Sequence, residues 1–182
     1  MQLPNISPRR LAGAAAIACA AALTPMAALA GTASPAAPAA RAPACPARGL
    51  VIWVGSSQGA LGTIYYDLNY TNLSGHACTL RGHPGISTAN LNGGPIGAPA
   101  RWGNPGNVKT RTVRLAKGAT ATSVLAVQQT GVFPQQACRP VTAAGLRVYP
   151  PNQFTSKLVP YPIGACSTKQ IFMTAGVVSR QP

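Results

Sequence analysis

Residues 63–72 read TIYYDLNYTN, and their alternation decides the fold class. Ile64, Tyr66, Leu68 and Tyr70 fall on one face, and Tyr65, Asp67, Asn69 and Thr71 on the other. A period of two, with aromatic and aliphatic residues on one side, predicts a half-buried strand. Just upstream, Leu50-Val51-Ile52-Trp53-Val54 is a second β-rich run, and Gly55-Ser56-Ser57-Gln58-Gly59 has the composition of a turn. Folded as a hairpin about residue 60, the two runs leave Cys45 and Cys78 at similar distances from the turn, 15 and 18 residues. That symmetry predicts a Cys45–Cys78 disulfide.

The same arithmetic applies further along. Leu146-Arg147-Val148-Tyr149 reads as a strand, Pro150-Pro151-Asn152 turns the chain, and Cys138 and Cys166 each lie 14 residues from Asn152. A Cys138–Cys166 bridge follows. Each bridge closes a loop of about 30 residues and contributes on the order of 3–4 kcal/mol. Thr110 to Leu115 and Ala119 to Gln129 flank a Lys117-Gly118 turn. Lys169 to Val178 is a closing strand with Ile171, Met173, Ala175 and Val177 on one face. No stretch after the N-terminal region keeps a helical period. The expected fold is all-β: an antiparallel, immunoglobulin-like β-sandwich of about seven short strands stapled by two disulfides, with Trp53, Tyr66 and Tyr70 as core aromatics.

The N-terminus reads as an address. Arg9-Arg10 precede an apolar run from Leu11 to Leu23, followed by Pro25 and Ala28-Leu29-Ala30, the layout of a signal peptide spanning residues 1–30. The run is too short to cross a bilayer. Leu11-Ala12 continues the arginine pair poorly for a twin-arginine signal, which favours Sec export. Cys19 follows Ile17-Ala18 as in a lipobox, but Ala16 replaces the wanted Leu or Val, so Cys19 is a weak lipidation candidate. Residues 31–44, GTASPAAPAARAPA, form an Ala/Pro-rich disordered tether ahead of a domain at 45–182.

Charge narrows the chemistry. The chain holds 15 Lys+Arg and one acid, Asp67. Signal removal takes two bases, leaving 13 − 1 = +12. A single side-chain carboxylate excludes paired-carboxylate hydrolysis, aspartyl dyads and carboxylate-caged Mg²⁺ or Ca²⁺.

The stretch Asn72-Leu73-Ser74-Gly75-His76-Ala77-Cys78-Thr79-Leu80-Arg81-Gly82-His83-Pro84-Gly85 follows the pattern N-x-S-G-x-x-C-x-L-x-G-x-P-G. In it the chain resembles a family of secreted or lipid-anchored actinobacterial cell-envelope domains of unknown function. Val113-Arg114-Leu115 with Gly118 and Ala121, Cys138-Arg139-Pro140, and Leu146-Arg147-Val148-Tyr149-Pro150-Pro151 carry the resemblance over nearly all of residues 45–178. His83 stands where that family usually has an aromatic residue. The resemblance implies an exported, two-disulfide β-sandwich and supplies no catalytic residues.

Three chemistries can be weighed on residues. Gly55-Ser56-Ser57-Gln58-Gly59 matches a nucleophile elbow with Ser57 at its centre, but a strand follows where an elbow needs a helix. His76, Cys78 and His83 have the makings of a metal site, yet a disulfide would take the thiolate away. Arg101, Trp102, Lys109, Arg111, Arg114 and Lys117 concentrate five charges and one aromatic in 17 residues, a candidate polyanion-binding patch. The expected protein is therefore a secreted, extracytoplasmic, non-catalytic binding module, possessing neither metal nor cofactor. Its partners would be anionic wall polymers or lipid headgroups rather than nucleic acid, and it would be a monomer without a transmembrane helix. The alternatives are a small protease inhibitor presenting Ala100 to Asn107 and a hydrolase using Ser57.

Overall fold

A computed structural model describes residues 42–180. The expected signal peptide, Cys19 and the tether up to residue 41 lie outside the described residues. The described residues are mostly strand, with one short helix and several antiparallel sheets. Twelve strands occur among the described residues, more than the seven or so expected, because half of them hold only two or three residues. The long ones are β1 (Leu50–Ala60), β2 (Thr63–Asn72), β4 (Gly85–Ala89), β8 (Thr120–Gln128), β9 (Pro140–Tyr149) and β10 (Lys157–Cys166). The short ones are β3 (Cys78–Leu80), β5 (Pro95–Ile96), β6 (Arg101–Trp102), β7 (Val113–Leu115), β11 (Met173–Ala175) and β12 (Ser179–Arg180). The helix α1 (Gln135–Cys138) is a single turn.

One sheet runs β1-β2-β8-β11-β6 with β12 also on β8; a second runs β10-β9-β4-β5; β3 and β7 form a ribbon. Among these strands only β6 and β11 pair parallel. In β2 the inner face is largely as read, but Ile64 is only half-buried and Asn69 on the other face is buried too. Tyr66, Leu68 and Tyr70 are buried and join Leu125 and Val127 of β8 in a core completed by Ile86, Leu146, Val148 and Val159 of the second sheet. Fully burying a side chain of this size contributes about 1.5–3 kcal/mol. The Tyr70 hydroxyl meets Ser123 Oγ at 3.2 Å, and burial pushes its pKa well above the usual phenolic range. Burial, and then the neighbouring Tyr161, raises that of Tyr66.

Both disulfides form as the hairpin arithmetic predicts. Cys45 and Cys78 lie 4.8 Å apart at Cα, and Cys138 and Cys166 4.5 Å. Ala44 bridges Thr79 beside the first of them.

Several local expectations are corrected. Residues 55–59 do not turn: they continue β1 through a β-bulge, where Gly55 and Ser56 oppose Asp67 alone. The hairpin turns instead at Leu61 and Gly62, whose φ values of 46° and 76° match a type I′ turn. Trp53 is 44 % exposed on the outer face of β1, not in the core, and its indole donates to Thr71 Oγ1 at 3.3 Å. The strand expected from Thr110 begins only at Val113, and the closing strand expected over Lys169 to Val178 shrinks to β11, with β12 beyond it and Ile171 left exposed.

Leu61 spends a strained backbone conformation on a side chain that packs against nothing, since it is fully exposed. Leu61→Asn should therefore stabilise the fold by about 0.5–1 kcal/mol, read as a raised midpoint in thermal unfolding.

Candidate functional site

The motif-bearing stretch from Asn72 to Gly85 turns out to fasten the fold. Asn72 is fully buried. Its Nδ2 donates to the carbonyls of His76, Leu115 and Ala116 at 2.8, 3.1 and 3.1 Å, while Oδ1 accepts from Ser74 N and Ser74 Oγ at 3.0 and 2.7 Å. One amide thus joins the end of β2, the turn before β3 and the end of β7. Cys78 is bridged, Leu80 is buried, and the Gly82 carbonyl accepts from Val178 N at 2.9 Å. The Pro84 carbonyl accepts from the Trp102 indole at 3.2 Å. Every one of these roles is architectural.

The two histidines separate. His76 is exposed in the turn before β3, with its carbonyl engaged by Asn72. His83 contacts the Gly103 carbonyl through Nε2 at 3.0 Å and stacks on Trp102, with centroids 5.6 Å apart. Cys78 is committed to its disulfide, and among the described residues no three His, Cys, Asp or Glu side chains converge. Ser57 pairs with Tyr66 inside the β1–β2 ladder rather than standing at a strand-to-helix turn. The hydroxyl that donates to Asp67 belongs to Ser56. The groove around them, about 310 Å³, is lined by Gln58, Tyr65, Pro105, Gly106 and Val124, with neither histidine present.

The residues expected to form one basic patch are distributed over three places. Arg101 lies against Thr174 of β11, its Nε donating to Oγ1 at 3.0 Å, and lines a cleft of about 510 Å³ with Tyr65, Asn104 and Gln128. Trp102, the next residue of β6, lines the same cleft and stacks on His83. Lys109 and Arg111 flank a different groove, of about 520 Å³, together with Arg180. Its apolar lining comes from Val108, Val113 and Val178. Arg114 stands exposed in the middle of β7 opposite Thr79, and Lys117 is exposed in the turn before β8; neither lines either groove.

Sequence reasoning missed Arg180. Ser179 and Arg180 reach the groove because β12 pairs with Thr122 and Ala121 of β8. Nothing near residues 109–117 signals that pairing.

The loop from Gly103 to Val108 lies back on the outer sheet face. Asn104 Oδ1 accepts from Val108 N at 2.7 Å, Asn107 N donates to the Asn104 carbonyl at 3.0 Å, and Gly106 sits against Val124.

No helix among the described residues is long and apolar enough to cross a membrane. No curated protein and no solved structure matches the chain. One family model does, across residues 45–177, a span that holds both disulfides. The chain belongs to that family, the Domain of unknown function (DUF4232).

Proposed function

We propose that the protein is an exported, non-catalytic binding module of the cell envelope, and that the groove at Lys109, Arg111 and Arg180 takes anionic groups of wall polymers or lipid headgroups. The observation that carries this reading is the groove itself. Three bases drawn from two distant parts of the chain surround about 520 Å³ of open, partly apolar space, and among the described residues no carboxylate side chain lines it. Phosphate or carboxylate groups satisfy such cations, and the valines suit an attached sugar or acyl carbon. Export is supported by the signal-like N-terminus and by two disulfides, which persist outside the reducing cytosol.

The test is retention of the mature domain on isolated cell walls and on anionic vesicles across a salt series. Retention should fall steeply as salt rises. The triple variant Lys109→Ala, Arg111→Ala, Arg180→Ala should bind at least about tenfold more weakly at low salt, since three exposed ion pairs contribute roughly 0.5–1 kcal/mol each. Retention indifferent to salt, or to the triple variant, would remove the proposal.

A further inference from the structure

The sheet edges of this molecule are treated unequally. β10 closes one sheet and carries Lys157, Pro160 and Pro162. At the opposite ends, β5 and β6 are two residues each, and β5 begins with Pro95. Prolines, charges and shortness are the devices that keep edges from pairing. β1 also ends a sheet, yet its eleven residues from Leu50 to Ala60 include neither a proline nor a charge.

The backbone groups of β1 that have no partner among the described residues can be located. Leu73 N donates to the Gly49 carbonyl at 2.8 Å, so these two form a hydrogen-bonded pair. Alternation then makes Leu50↔Asn72, Ile52↔Tyr70 and Val54↔Leu68 the non-hydrogen-bonded pairs. Two other bonds agree: Leu50 N turns to the Ala47 carbonyl, and Asn72 N to that of Ala119. The N–H and C=O groups of Ile52 and Val54 therefore point off the edge. Val51 and Trp53, 47 % and 44 % exposed, stand beside them on the outer face.

We propose that β1 pairs antiparallel with β1 of a second copy, about a two-fold axis through Trp53. In that register Ile52 and Val54 of the partner subunit exchange both hydrogen bonds, and the axis repeats the exchange. Trp53 then faces Trp53 of the partner subunit as a non-hydrogen-bonded pair, the kind that brings side chains closest. The occupant follows from the edge's own chemistry. Donors and acceptors repeating every second residue fit only an extended backbone, this strand complements itself across the axis, and no like charges meet along it. A contact of this kind closes on itself without building a filament. The chain's own tail is a poorer occupant, because Pro43 and Ala44 run beside Thr79 of β3 and the Ala/Pro composition lacks strand character.

The bulge after Val54 keeps the seam short, so the association is weak and replaces the monomer expected from the sequence only at high local concentration. Two strongly cationic domains repel, so the dimer gains with salt, opposite to the sign expected for polyanion retention. The two proposals can thus fail independently.

Sedimentation velocity of the mature protein should show a dimer that grows with concentration and with salt. Under oxidised glutathione, Trp53→Cys should give at least tenfold more disulfide-linked dimer than Val51→Cys, which is equally exposed but lies off the axis. Val51→Lys should weaken the dimer tenfold or more while leaving the far-ultraviolet circular dichroism unchanged. A protein that stays monomeric throughout, or Trp53→Cys and Val51→Cys cross-linking alike, would overturn the proposal.

Discussion

Replacing Asn72 by alanine should lower the unfolding free energy by about 3–5 kcal/mol in urea denaturation, because a buried polar group left without its partner costs about 1–3 kcal/mol. The amide serves three carbonyls through Nδ2 and the Ser74 amide and hydroxyl through Oδ1. Truncation orphans most of them at once, in a place where the side chain was fully buried and water has little access. The control is Asn90, whose Oδ1 accepts from Asn92 N and Gly94 N at 3.0 and 2.9 Å in an exposed turn. Asn90→Ala should cost only about 1 kcal/mol, since water replaces what is lost. Equal losses for the two variants would show that Asn72 does not hold the three segments together.

Gly97→Ala should be at least as damaging, with a loss of about 3 kcal/mol or more and poor recovery of folded protein. A Cβ there would overlap the Cys166 carbonyl oxygen and stand 2.9 Å from that of Thr168. Both obstacles are backbone atoms. Cys166 is further fastened to Cys138 and to the β9–β10 ladder, so it cannot step aside cheaply. The φ of +64° adds the usual strain of a left-handed residue. Gly118 has a comparable φ of +78° with open space around its Cα, so Gly118→Ala isolates the backbone component at about 1–2 kcal/mol. Similar denaturation midpoints for the two alanine variants would sink the close-approach argument.

Hairpin registers were legible from sequence because alternation and equal spacing from a turn are local quantities. Leu50 faces Asn72, and Cys166 lies across from Pro140, so symmetric arithmetic about residue 60 and Asn152 was enough to pair four cysteines. What failed was whatever tertiary contacts decide. Gly55 to Gly59 has turn composition, but small residues also suit a bulge packed close to a neighbour, and a Cβ on Gly55 would run into the Asn69 amide. The two- and three-residue strands carry no period of their own; β6 exists because β11 lies beside it. Trp53 looked like core because it is large and apolar, yet β1 alternates and its even-numbered residues Leu50 and Ile52 take the inner face.

The candidate site suffered more. Of the six residues close in sequence, Lys109 and Arg111 share a groove, and they do so with Arg180 because the chain returns there at Val178 to Arg180. Arg101 belongs elsewhere because β6 places it over Thr174. Proximity along the chain is a poor guide to proximity in space when loops of this length connect the sheets.

The bulge on β1 sets Ser56 against Asp67, the sole acidic side chain of the chain. Most folded proteins come apart in acid because many carboxylates, ion-paired when native, must take up protons together. Here the chain has a single side-chain carboxylate, and its partner is the Ser56 hydroxyl. The cations that repel one another at pH 3 are almost the same set that repel at pH 7, so resistance to acid is written into the composition and requires no dedicated device.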